Sequence, residues 1–123
     1  SKKKAIIEES LIAIKNDYAF LMQQLFKNRN AIISKNMRYY LLMLSKTTSK
    51  DLVILSNLCE DDINHKKILE RLIKAKRDFE YIYTGDKLIE GDAITENFID
   101  ECSDYYYLIK QNISQFKIEL YSK

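Results

Sequence analysis

Six large residues early in the chain, Ile7, Leu11, Ile14, Tyr18, Leu21 and Leu25, are separated by four, three, four, three and four positions. A strand would send such a set to both of its faces, whereas a helix stacks all six on one side. The same rhythm returns near the other end, at Phe98, Cys102, Tyr105, Ile109, Asn112, Phe116 and Leu120, with only Asn112 polar. Two apolar ridges of this length must be covered, by each other and by the segments between them. The spacing predicts an all-α chain: an antiparallel bundle of four or five helices, forming one domain over residues 1–123.

Between the ridges the pattern is less regular. Helix one is expected from Lys3 to Lys27, with Ile6, Phe20 and Phe26 widening its apolar face, and Asn28-Arg29-Asn30 breaks it. Ile33, Met37, Tyr40, Leu41 and Leu44 predict a second helix that stops near the run SKTTSK. Ser49 then caps a short third helix carrying Leu52, Val53, Leu55 and Leu58. Asp62 or Asn64 caps the next, whose stripe runs from Ile68 through Leu72 and Lys76 to Phe79 and Tyr83; the aliphatic stem of Lys76 can serve in a core. Thr95 opens the last helix.

Residues 79–90 admit a second reading. Phe79 to Tyr83 is rich in strand formers, Gly85-Asp86 could turn a hairpin, and Lys87 to Glu90 could return. That hairpin would make the chain a winged helix-turn-helix with long flanking helices. The phase of the upstream stripe favours a helix ending near Gly85, followed by a loop in which Leu88 and Ile89 turn inward.

Composition excludes more than it assigns. No apolar run approaches the roughly 20 residues of a membrane span. Glu8 and Glu9 interrupt what would be the core of a secretory signal, so a cytoplasmic location is expected, in a bacterium or a host cell. Two cysteines, Cys59 and Cys102, make no disulfide framework and read as buried thiols. Two glycines cannot build a phosphate loop. The one histidine, His65, has no nucleophile motif around it, and its pairing with Asp61 four residues earlier reads as a solvated helix end. No acidic pair stands on an apolar face. No enzyme, cofactor or metal site is expected.

Two surface features remain. Lys66, Lys67, Arg71, Lys74 and Arg77 form a basic helix face, diluted by Glu70 and Asp78, that could track phosphates. The chain also holds 9 tyrosines, clustered at Tyr39-Tyr40 and Tyr105-Tyr106-Tyr107. Consecutive helical residues cannot share one core, so Tyr39, Tyr106 and Tyr107 are candidates for an outer surface, next to Asp100 and Asp104. Charge follows the same division: residues 1–83 carry 16 Lys and Arg against 10 Asp and Glu, and residues 84–123 carry 4 against 8. An acidic, tyrosine-rich face suits a protein partner better than nucleic acid. The expected function is a non-enzymatic helical binding protein, with a nucleic-acid-binding transcriptional or replication regulator as the alternative. A Lys-, Asn-, Ile- and Tyr-rich sequence without proline fits an AT-rich genome, such as that of a virus, phage, plasmid or low-GC bacterium, and an inhibitor, immunity or accessory role.

Overall fold

The structure, a computed structural model, describes residues 1–84 and 91–122. Four helices account for most of them: α1 (Lys2–Lys27), α2 (Lys35–Leu58), α3 (Ile63–Thr84) and α4 (Glu96–Tyr121). Each packs against its sequence neighbour, and α1 closes the ring against α4. The backbones of the diagonal pairs α1–α3 and α2–α4 stay apart, and across the first of these Tyr18 and Phe79 meet in the core with ring centroids 5.3 Å apart. Cross-helix contacts fix the directions. Tyr18 meets Thr48 while Phe20 meets Tyr40, and His65 meets Phe116 while Phe79 meets Tyr105, so neighbours run antiparallel.

The first ridge is realised in full: Ile7, Leu11, Ile14, Tyr18, Leu21 and Leu25 are each at most 2% exposed. Ile6, Phe20 and Phe26 do not widen it; they are about half exposed, and Met22 is buried instead. The α4 ridge is less complete, and Tyr105 on it is only partly buried. Ile99 replaces Phe98, which is only partly buried, and Ile113 replaces Asn112, whose amide donates back to Leu108 O at 2.8 Å. A heptad read strictly in fours and threes lands on a polar residue there, while the helix turns its apolar neighbour inward.

The larger correction concerns SKTTSK, which does not end a helix. Thr47, Thr48 and Ser49 donate their hydroxyls to the carbonyls of Met43, Leu44 and Ser45. This back-bonding satisfies side chains that otherwise compete with the backbone. One helix therefore runs from Lys35 to Leu58, and the expected cap at Ser49 lies in its middle. Its buried line is Leu41, Leu44, Thr48, Leu52 and Leu55, with polar Thr48 fully inside.

Side-chain oxygens cap all four helix starts: Ser1 accepts from Lys4 N, Ser34 from Met37 N, Asp62 from Asn64 N and His65 N, and Thr95 from Phe98 N. Ser34, not Ile33, marks the entry to α2. Ile33 instead sits in the α1–α2 connection, 1% exposed, beside Ile94, also 1% exposed. There the two connections at one end of the bundle pair briefly across an antiparallel bridge at Ile32 and Ala93. Asn30 N donates to Ile94 O at 2.8 Å, and Ile33 N donates to Asp92 O at 2.7 Å. Asn30 adopts φ 66° and Gly91 φ 97° to make the turns, a region open to Gly and tolerated by Asn.

The first strand of the hairpin in the winged alternative does not form. Phe79 to Tyr83 lies in α3, and Phe79, Ile82 and Tyr83 are each at most 2% exposed. The remainder of that reading, with the inward turn of Leu88 and Ile89 and the helix end at Gly85, lies outside the described residues. No helix among the described residues is long and apolar enough to cross a membrane.

Candidate functional site

Among the described residues the interior holds a charged cluster around Lys76, and it is closed on itself. Lys76 is 4% exposed, and its ammonium carries three protons. It donates to Ser49 Oγ at 3.0 Å, to Ser45 O at 3.4 Å and to the Glu80 carboxylate. These contacts tie α3 to α2 and leave no proton for a ligand. The groove above, about 280 Å³ between Leu52, Val53, Ile73 and Arg77, is thus floored by a satisfied ion pair. Nearby, Tyr18 Oη and Thr48 Oγ1 lie 3.4 Å apart in the core. Tyr83 Oη is buried without a hydrogen bond of good geometry among the described residues, although Tyr18 and Glu80 lie near enough to act on it electrostatically.

Burial sets the ionisation of these groups. It pushes the phenols of Tyr18 and Tyr83 well above the ordinary 10.0 and the Cys102 thiol up to about 12. Burial likewise raises Cys59, outweighing the lowering by Lys3. A reactive cysteine needs its thiolate, so neither thiol is primed as a nucleophile. Each raised group favours folding fully below its unfolded pKa and withdraws that support as pH rises through the folded value. Stability is therefore expected to hold to about pH 8 and to fall between roughly pH 9 and 12. Urea midpoints measured across this range check it, and a midpoint flat to pH 11 would contradict it.

His65 stacks on Phe116 at 5.3 Å, and its Nδ1 lies 3.5 Å from the Asp62 carboxylate. Its acidic neighbour is thus the capping Asp62, and the pair serves the start of α3. No group of three metal-ligating side chains occurs among the described residues.

The sequence-derived surface residues separate into three places. Tyr39 is 65% exposed, but it stands on α2, diagonal to α4, and does not join the other tyrosines. Asp100, Asp104 and Tyr107 do come together. Spaced i, i+4 and i+7, all exposed, they form one outer stripe of α4. Gln111 Nε2 donates to Tyr107 Oη at 3.1 Å, extending the stripe, and a shallow groove of about 580 Å³ carries it past Lys110 to Ile118, which is 64% exposed. Tyr106 is different. It packs against the core, and Lys110 Nζ sits 4.7 Å over its ring. Tyr107→Ala is expected to leave the melting temperature nearly unchanged, whereas Tyr106→Ala costs about 1–2 kcal/mol. Equal losses in thermal unfolding would show that the two share one environment.

The basic residues Lys66, Lys67, Arg71, Lys74 and Arg77 all lie exposed on the outer side of α3. Lys74 is paired with Asp78 at 2.8 Å. The other four make no ion pair among the described residues.

One surface escaped the sequence reading. On the outer α1–α2 face, Phe20 and Tyr40 meet edge-on at 6.1 Å. Two depressions of about 250 and 290 Å³ flank this pair, one reaching Asp17 and Met43, the other Gln24 and Met37. The available signal was Phe20 itself, an aromatic residue off the buried ridge of α1.

The fold and these surfaces define a four-helix up-and-down bundle whose exposed side chains carry whatever recognition it performs. The chain matches no protein-family model, no curated protein and no solved structure.

Proposed function

We propose that this chain is a non-enzymatic binding protein that recognises a partner protein through the outer stripe of α4. The observation that carries this reading is the alignment of Asp100, Asp104 and Tyr107 on one exposed face continuous with Gln111 and Ile118. A tyrosine with an apolar body and a polar tip, flanked by fixed charge, suits a protein interface. Carboxylates at this position would repel a phosphate backbone. The expected setting is the cytoplasm of a bacterium or a host cell, in an inhibitory, immunity or accessory role.

The double substitution Asp104→Ala with Tyr107→Ala is the test. It should abolish capture of the wild-type partner from the native host while thermal unfolding stays as in the wild type. Retention of the same partner by the variant would refute this use of α4.

Lys66, Lys67, Arg71 and Arg77, which make no ion pair among the described residues, favour a second reading, a nucleic-acid-binding regulator using these four and Lys74. Their contacts would release counterions, so heparin retention should fall steeply with salt. Elution indifferent to salt would remove this alternative.

A further inference from the structure

The α1–α2 groove carries its own charge signature. Asp17 lines it beside Phe20 and Tyr40, and Asp51 stands one helical turn beyond Thr47, which lines the same depression. Both carboxylates are half-buried, and neither has an ion pair among the described residues. Burial raises the pKa of each above the ordinary 3.8, and Asp51 raises Asp17 further. Two anions that repel each other on a partly desolvated face are left without an ion-pair partner among the described residues, although Lys46 and Lys50 stand exposed beside them on α2. The apolar part is also open: Phe20 is 51% and Met43 40% exposed, and Tyr40 Oη is buried without a hydrogen-bond partner among the described residues.

We propose that this groove receives one amphipathic helix of a partner protein, its apolar ridge lying along Phe20, Met37 and Met43 and a Lys or Arg reaching Asp17 and Asp51. From Met37 to Asp51 the groove runs for about 21 Å, room for roughly four helical turns. Asp17 is about one turn from Phe20, so the cation falls one turn from the apolar anchor. Charge sets this occupant apart from others. A second copy packed two-fold on this face would bring four carboxylates together. Nucleic acid or an anionic membrane would present its own negative charge. The surface lies across α1 from the α4 stripe, so the two can be occupied independently.

The probe is a roughly 15-residue amidated peptide of Leu and Lys, with Leu at i, i+3, i+4 and i+7, compared with its Leu/Glu counterpart. Binding is followed by amide chemical shifts of the full chain and by fluorescence anisotropy. The Leu/Lys peptide should shift residues 13–24 and 37–51 and leave α4 undisturbed. Asp17→Asn with Asp51→Asn should weaken it about tenfold or more. The same variant should melt no lower than wild type, because its amides relieve the repulsion. Affinity should fall as pH drops through the carboxylate range, because a bound cation favours the ionised form. Any of four results overturns the proposal: shifts centred on α4, equal affinity of the Asn variant or of the Leu/Glu peptide, concentration-dependent shifts of these residues without peptide, or no shift at millimolar peptide.

Discussion

Phe79→Ala should destabilise the chain by about 4 kcal/mol and lower its melting temperature by roughly 12–20 °C. Phe79 is fully buried, with its ring centroid 5.3 Å from that of Tyr18, 5.4 Å from Tyr83 and 6.4 Å from Tyr105. It thus joins α1, α3 and α4 at one level of the bundle. Truncation removes the transfer free energy of the ring and leaves a cavity walled by three other rings, which cannot collapse without leaving their rotamers. A loss below about 1 kcal/mol would mean that residue 79 does not face the core. Tyr81, two positions on and 68% exposed, is the internal control, since Tyr81→Ala should cost only a few tenths of a kcal/mol.

Removing one partner of the buried ion pair should be nearly as severe. Glu80→Ala leaves the Lys76 ammonium inside the protein with only Ser49 Oγ and Ser45 O, and about 3 kcal/mol is the expected cost. The pair itself is not a large source of stability, because desolvation offsets its attraction. The double substitution Lys76→Met with Glu80→Gln keeps the stem in place and removes both charges, so it should recover most of the loss. Urea unfolding of the two variants separates these terms. A double variant as unstable as Glu80→Ala would show that the contacts to α2, not the uncompensated charge, dominate.

The sequence made the ends of the bundle legible and its middle illegible, for a physical reason. The α1 ridge is apolar at every buried position, so spacing alone identifies it. In α2 the buried line passes through Thr48, and a polar residue in the core resembles a helix end until its bonds to Leu44 O and to Tyr18 are seen. Ile33 was misplaced because an isolated apolar residue beside a cap looks like the first member of a helical stripe. Its actual backbone partners, Gly91 and Asp92, are about 60 residues away, a distance no local pattern reports. Among surface residues, Asp100, Asp104 and Tyr107 share one exposed stripe, as their spacing on a helix allows. Spacing could not show that Tyr39 belongs to a diagonal helix, nor that Phe20 and Tyr40 meet across two helices.

Recognition of a protein by the outside of α4 is tested most directly by a photo-crosslinking benzoylphenylalanine placed at Tyr107 and, separately, at Arg71. Both positions are exposed, so neither substitution should disturb the bundle. Irradiated in the native host, the Tyr107 position should give a protease-sensitive, nuclease-resistant adduct, and the Arg71 position none. A nuclease-sensitive adduct at Arg71, with nothing captured at Tyr107, would contradict the account and put the basic face of α3 in its place.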